Sequence, residues 1–143
     1  MQPNTLFEAT TQDVWIYNPE LNKCLVLGYR DSPQIGNCYD SDSTKWQIPA
    51  SEDGFYKSLS TGWYLDVIDI DQGIIIMNDL RSPSSVIKHS KKRQAIVSPL
   101  NSQKCLGLMK STVKNEARLT LNDCDNAQKD QKWDIRTTFP NGN

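Results

Sequence analysis

Three aspartates, Asp66, Asp69 and Asp71, fall within six residues of the segment TGWYLDVIDID, residues 61–71. Carboxylates this close suit three chemistries: holding a cation, splitting a glycosidic bond, or accepting hydrogen bonds from a polar ligand. A calcium loop needs a set spacing and a closing glutamate, and the segment has neither. For hydrolysis, nothing separates two of these side chains from ordinary turn aspartates that cap their own backbone. His89 is the one histidine of the chain, and the sequence shows no partner that would make it a catalytic base. Neither an enzyme nor a cofactor is expected. The segment KHSKKRQ, residues 88–94, gathers Lys88, Lys91, Lys92 and Arg93. It reads as a solvated turn, or as a patch for sulfate, phosphate or another acidic partner.

The elements that position these groups must fit into 143 residues, one domain's worth. A chain of that length buries about two-thirds of its unfolded surface. Apolar residues make up 37% and the formal net charge is −1, so neither disorder nor a nucleic-acid partner is expected. No apolar run approaches the ~20 residues that span a bilayer, so membrane insertion is not expected. The opening MQPNTLFEATTQDV has no basic stretch leading into an apolar one, as a secretory signal would. The four cysteines Cys24, Cys38, Cys105 and Cys124 allow three pairings. Gaps of 14 and 19 positions are too wide for CxxC redox chemistry and unlike the close pairs of a zinc site, so no metal is expected.

An internal repeat organises the chain. NKCLVL (22–27), GWYLDV (62–67) and QKCLGL (103–108) align with offsets of 40 and 41 residues. Downstream, SPQIGNC, IIIMNDL and RLTLNDC end on Cys38, Leu80 and Cys124, and Trp46, Ile87 and Trp133 then fall in register. A short apolar strand precedes each unit: VWIYN, GFYKS and AIVSP. The segments alternate or are continuously apolar over four or so residues, and SEDG, YRDSP, DQG and LNSQ mark turns, so each unit reads as four short strands. The expected domain is all-β, residues 13–137, with repeats 13–53, 54–93 and 94–137. An extension (1–12) and a tail (138–143), both out of register, are expected to lead to other domains of a longer chain. One unit alone leaves sheet edges and an apolar face uncovered, which is why three should close on one another.

The run KCLGL…LTLNDC…DQKW resembles the ricin B-type β-trefoil lectins, with their Cys-Leu-Asp box, second cysteine and Gln-x-Trp motif. The opening WIYNPELNKCLVL is also similar to the cysteine-rich trefoil domain of mannose-receptor-like proteins. Gln131-Lys132-Trp133 keeps the last motif, Thr44-Lys45-Trp46 keeps its tryptophan, and Ser85-Val86-Ile87 keeps neither residue. The resemblance implies a β-trefoil, with Trp46 and Trp133 in the core rather than stacked on sugar. In the repeat register Cys24 pairs with Cys38 and Cys105 with Cys124, while Tyr64 and Leu80 replace the middle pair together, as an apolar contact. Each such loop closure stabilises by about 3 kcal/mol in the chain-entropy account. Disulfides imply a secreted, surface or lumenal protein; four buried free thiols are the alternative. His89 takes the place of Ile48 and Ile135 and is expected to be packed or partly exposed at a hairpin rather than a ligand.

By the same resemblance each competent repeat binds a sugar through three residues. An aspartate two positions after the first cysteine accepts from hydroxyls, an aromatic two before the second cysteine stacks, and an asparagine three before the tryptophan adds a bond. The first repeat offers Val26, Gly36 and Ser43, and the third Gly107, Asn122 and Asp130. The middle repeat alone has the aspartate, Asp66, with Asn78 and Ser84 in the other places. Trp63, expected on the face opposite Tyr64, would supply a stacking ring from another direction. The implied function is weak, single-site recognition of a glycan or glycoprotein that targets a larger protein. The alternative is a trefoil with decayed sugar sites that binds proteins.

Overall fold

Short strands with one apolar face can be buried only against one another, and the chain solves this three times over. The structure, a computed structural model, describes residues 10–69, 71–98, 100–109 and 118–140. The first repeat comprises β1 (Thr11–Asn18), β2 (Lys23–Leu27), β3 (Pro33–Gly36) and β4 (Trp46–Pro49). The second comprises β5 (Asp53–Phe55), β6 (Lys57–Ser58), β7 (Tyr64–Asp69), β8 (Ile74–Asn78) and β9 (Val86–Ser90). The third comprises β10 (Ala95–Ser98), β11 (Asn101–Leu108), β12 (Leu119–Asp123) and β13 (Asp134–Arg136). Among the described residues the helical elements are short 3-10 turns, and there is no α-helix.

The repeat register of the sequence is the register of the ladders. Cys24 lies opposite Gly36, Tyr64 opposite Asn78, and Cys105 opposite Asn122. The first and last strands of the repeats form the barrel wall: β1 pairs with β4, β4 with β6, β5 with β9, β9 with β10, and β13 with β1. Between β10 and β13 the wall is joined by the Trp133 N–H donating to Gln94 O at 2.7 Å. Hairpins β2–β3, β7–β8 and β11–β12 project from this wall, giving a β-trefoil. The strand expected over residues 54–58 is split at Tyr56 into β5 and β6, which pair with different neighbours. Tyr56 is fully buried there, and its hydroxyl donates to Glu52 O at 2.6 Å.

One cluster of side chains from all three repeats fills the interior, among them Ile16, Leu25, Trp46, Leu65, Ile87, Leu106 and Trp133. Trp46 and Trp133 are 1% and 0% exposed. Their indole N–H groups donate to Leu25 O at 2.9 Å and Leu106 O at 3.0 Å, the residue after the first cysteine in each repeat. This satisfies the one polar atom of a buried indole. Ile87, at the matching place, is buried and has no polar atom to satisfy.

Cys24–Cys38 and Cys105–Cys124 are disulfide-bonded, the pairing read from the register. The expected Tyr64–Leu80 contact does not form, since Leu80 is 71% exposed. Its N–H donates to Asn78 Oδ1 at 3.2 Å, a turn that carries the side chain outward. Tyr64 instead meets Phe55 edge-on, ring centroids 6.1 Å apart, with the Arg81 guanidinium 5.2 Å from the Phe55 ring. His89 is packed, as expected, with Nε2 2.7 Å from Trp133 O and Nδ1 2.8 Å from Glu52 Oε1. It thereby links all three repeats. β1 starts at Thr11, ahead of the expected boundary at 13, because Thr11 and Gln12 continue the ladder with Pro49 and Ile48. Phe139, in the expected tail, packs 5.5 Å from Trp15. Residues 1–9 of the expected extension and 141–143 of the expected tail lie outside the described residues.

Two measurements check this account. Alkylation of the native protein is expected to label no cysteine before reduction and all four after it, read by mass. Burial first, then the Glu52 and Asp53 carboxylates, push ionisation of Tyr56 well above its ordinary 10.0. A raised folded-state value stabilises fully below the unfolded value and is lost as pH rises beyond it. Urea midpoints are therefore expected to fall as pH climbs past 10.0, and the Tyr56→Phe variant to flatten that fall.

Candidate functional site

The hairpin of each repeat and the 3-10 turn before its last strand place three side chains side by side. These are the positions at 26, 36 and 43 in the first repeat, 66, 78 and 84 in the second, and 107, 122 and 130 in the third. The turns themselves, Asp42–Thr44, Pro83–Ser85 and Lys129–Gln131, are anchored by their buried last residues. Gln131 Nε2 donates to Asp123 O at 3.0 Å and its Oε1 accepts from Asp125 N–H at 2.9 Å. Thr44 Oγ1 likewise donates to Tyr39 O at 2.8 Å and accepts from Tyr39 N–H at 3.2 Å. Ser85 Oγ accepts from Ser82 N–H at 3.1 Å. Thr44 thus does the work of the lost glutamine with a shorter side chain, whereas Ser85 caps only its own turn.

In the first repeat the Val26 side chain leans diagonally over Gly36; a Cβ on Gly36 would come within 2.8 Å of Val26 Cγ2. Ser43 is exposed and shares a hydrogen bond with Ser41. None of Val26, Gly36 and Ser43 carries a carboxylate.

In the middle repeat the structure brings Asp66, Asn78 and Ser84 into direct contact and leaves Trp63 elsewhere. Asp66 is 2% exposed. Its Oδ1 accepts from Val67 N–H at 2.8 Å and Ser84 Oγ–H at 2.7 Å, and its Oδ2 from Asn78 Nδ2–H at 2.9 Å. A buried carboxylate is tolerable when this many donors face it. Asn78, in the place of the stacking ring, lies against the carboxylate and covers it. Trp63 instead lines a separate cleft with Met77 and the loop at Arg30 and Asp31. Asp69 caps its own turn, accepting from Asp71 and Gln72 N–H at 3.1 and 3.0 Å.

The third repeat holds a carboxylate in the same place, delivered from the opposite side. A Cβ on Gly107 would lie 2.7 Å from Asp130 Oδ2, so Asp130 fills the space that an aspartate at 107 would use. The donor is equivalent too: Leu108 N–H donates to Asp130 Oδ2 at 2.7 Å, as Val67 N–H does to Asp66. Asp66 with Ser84 has become Gly107 with Asp130. The consequence for access is large. Asn122 turns its amide to Leu108 O at 3.1 Å instead of to the carboxylate, and Asp130 Oδ1 receives no hydrogen bond from a described residue. Asp130 borders an open cavity of about 440 Å³ with Asn122, Asp123, Asp125, Gln128 and Gln131. Asp123 is engaged by Lys104 Nζ at 2.7 Å, whose hydrogen bond and charge hold its carboxyl below the usual range. Asp125 accepts from Ala127 N–H at 2.9 Å. Among the described residues, Asp123, Asp125 and Asp130 each keep one carboxylate oxygen without a hydrogen bond, and Asp130 is the one of the three set against the hairpin at Gly107.

The basic segment is only partly available. Lys88, Lys91 and Lys92 are exposed, but Lys91 Nζ lies 4.0 Å from Glu52 Oε2 and the Arg93 guanidinium donates to Ser102 O at 2.8 Å.

A family model described as the ricin-type beta-trefoil lectin domain matches residues 12–133. Among solved structures, the C-half of an earthworm R-type lectin, determined in complex with GalNAc, superposes with a TM-score of 0.69 at 13% identity. That likeness covers 87% of this chain and 98% of that one. The Rhizoctonia solani agglutinin is similar at TM-score 0.66 and 17% identity, over 91% of this chain and 97% of that one. An endo-β-galactosidase of Clostridium perfringens is similar at TM-score 0.69 and 16% identity, over 89% of this chain but 33% of that one. At such identities the likeness is one of fold. No curated protein matches the sequence significantly.

The two carboxylates should differ in what their removal costs. Asp66→Ala strands three donors in a buried place and is expected to lower unfolding stability by about 1–3 kcal/mol. Asp130→Ala strands only the Leu108 N–H near solvent and should cost about 1 kcal/mol or less. Urea denaturation of the two variants beside the wild type decides between equal and unequal costs.

Proposed function

As the chain belongs to the ricin-type β-trefoil lectin domain family, we propose that it is a carbohydrate-binding module whose open pocket is in the third repeat. The observation that carries this reading is Asp130, which borders the cavity of about 440 Å³ and whose Oδ1 accepts from no described residue. An ionised carboxylate only accepts, so it can hold sugar hydroxyls, with the amides of Asn122 and Gln128 at hand for further bonds. No ring stacks in this pocket, so recognition rests on polar contacts and is weak at a single site. Useful binding then requires several copies, or an attached domain that the module targets to a glycan or glycoprotein. The two disulfides support a secreted, surface or lumenal setting. His89 has both ring nitrogens committed to Glu52 and Trp133, which supports a non-catalytic role.

A second reading places the sugar at Asp66, Asn78 and Ser84, favoured by their direct contact. It requires Asn78 to swing off the carboxylate, exchanging its bond for one to a hydroxyl. A third places an anionic glycan on Lys88, Lys91, Lys92 and Arg93, and this one predicts binding that salt abolishes.

A glycan array probed with wild type, Asp130→Asn and Asp66→Asn separates these readings. Asp130→Asn is expected to weaken binding about tenfold or more, the size of one lost charge-assisted bond, with little salt dependence. Loss only in Asp66→Asn moves the site to the middle repeat. Wild type that binds no glycan would point to a protein-contact role instead.

A further inference from the structure

Trp63 is 46% exposed, whereas Trp15, Trp46 and Trp133 are 4%, 1% and 0% exposed. It flanks a cleft of about 380 Å³ between the first and second repeats, walled by Ile76 and Met77 and by Arg30, Asp31 and Ser32. The cleft shares no lining residue with the Asp130 pocket, and Asp66, Asn78 and Ser84 do not line it. Its loop is held in shape: Gly28 N–H donates to Ser32 O at 2.8 Å, Asp31 N–H to Gly28 O at 3.0 Å, and Ser32 Oγ–H to Tyr29 O at 2.9 Å. Arg30 and Asp31 both sit at a φ of 56°, the left-handed region that non-glycine residues rarely adopt. Strain of this kind persists where the surroundings enforce it, often at ligand sites. Among the described residues, the Asp31 carboxylate and the Trp63 indole N–H have no hydrogen-bond partner, and the Arg30 guanidinium is held only over the Tyr29 ring, 5.3 Å from its centroid.

We propose that this cleft is a separate binding site for a neutral saccharide. A flat apolar ring, an acceptor that cannot donate and a donor that cannot accept stand together at one rim. An anion would meet Asp31 and a cation would meet Arg30, so neither ion suits the pair. A sugar hydroxyl donates and accepts at once, so adjacent hydroxyls can satisfy Asp31 and Arg30 together. The C–H face of a pyranose covers the exposed indole, removing apolar surface from water on both sides. The inference goes beyond the Asp130 reading and does not depend on it.

Trp63 is the single exposed tryptophan of four, so fluorescence reports on this site directly. The test titrates the full chain carrying Asp130→Asn with lactose, N-acetyllactosamine and chitobiose, following emission and acrylamide quenching. At least one of the three is expected to shift the emission and shield it from acrylamide. Asp31→Asn should weaken that effect about tenfold, the size of one charge-assisted bond. Trp63→Ala should abolish binding measured by calorimetry, and because the ring is half exposed the variant should fold. Sialylated lactose should bind no tighter than lactose, since its carboxylate faces Asp31. The proposal is overturned if none of the sugars shields Trp63, or if binding persists unchanged in Trp63→Ala. Binding lost in Asp130→Asn but intact in Trp63→Ala would sustain the third-repeat pocket and remove the cleft.

Discussion

Burial of the Trp133 ring is the constraint on which the third repeat and the closure of the barrel both depend. The fully buried ring fixes one end of the chain in the core, and its indole N–H draws the Leu106 carbonyl, and with it β11, to the ring. Its backbone N–H reaches Gln94 and its carbonyl takes the His89 ring, so one residue joins the second repeat to the third. The 3-10 turn Lys129–Gln131 ends two positions earlier, and Gly107 directly follows Leu106. The place where Asp130 meets the Gly107 backbone is therefore set by how a tryptophan is packed, some distance from any solvent. Binding geometry here is inherited from the core.

Seen this way, the carboxylate site belongs to a position in space and not to a position in the motif. Val67 N–H and Leu108 N–H are equivalent donors that point at the same volume. Whichever neighbouring chain segment supplies an oxygen can answer them. The middle repeat answers from the hairpin and the third from the turn, and the two solutions leave very different amounts of the carboxylate exposed. The first repeat places the Val26 methyls there and has no charge to offer.

Much of this was legible in the sequence because it follows from period and register. The three hairpins and the two disulfides depend on matched spacing, which an alignment of the chain with itself exposes, and the resemblance adds the burial of the two tryptophans. What escaped depends on the direction of side chains. Leu80 occupies a cysteine's place in the register, but a turn built on Asn78 points it at solvent. Asp66 occupies an acceptor's place, but the sequence does not show that Asn78 would fold over it. Asp130 stood at an asparagine's place with a glycine opposite, and only the close approach of the two segments reveals that it fills the gap. The one readable sign was the pairing itself: where the box loses its aspartate to glycine, a carboxylate appears near the last motif. Trp63 is exposed, but its ring flanks the cleft between the first and second repeats and stands apart from Asp66.

The pairing of β1 with β13 joins Trp15 to Arg136 and Tyr17 to Asp134 across nearly the whole chain. Contacts of such long sequence separation form slowly, because a large loop must close before they gain anything. During synthesis the first strand has its β4 and β2 partners early but must wait for the last residues of the third repeat before its other edge is covered. Until then the nascent chain carries an open, apolar barrel edge, the kind of surface on which chaperones act. A ribosome that stalls within the third repeat would thus leave two formed repeats and no finished wall.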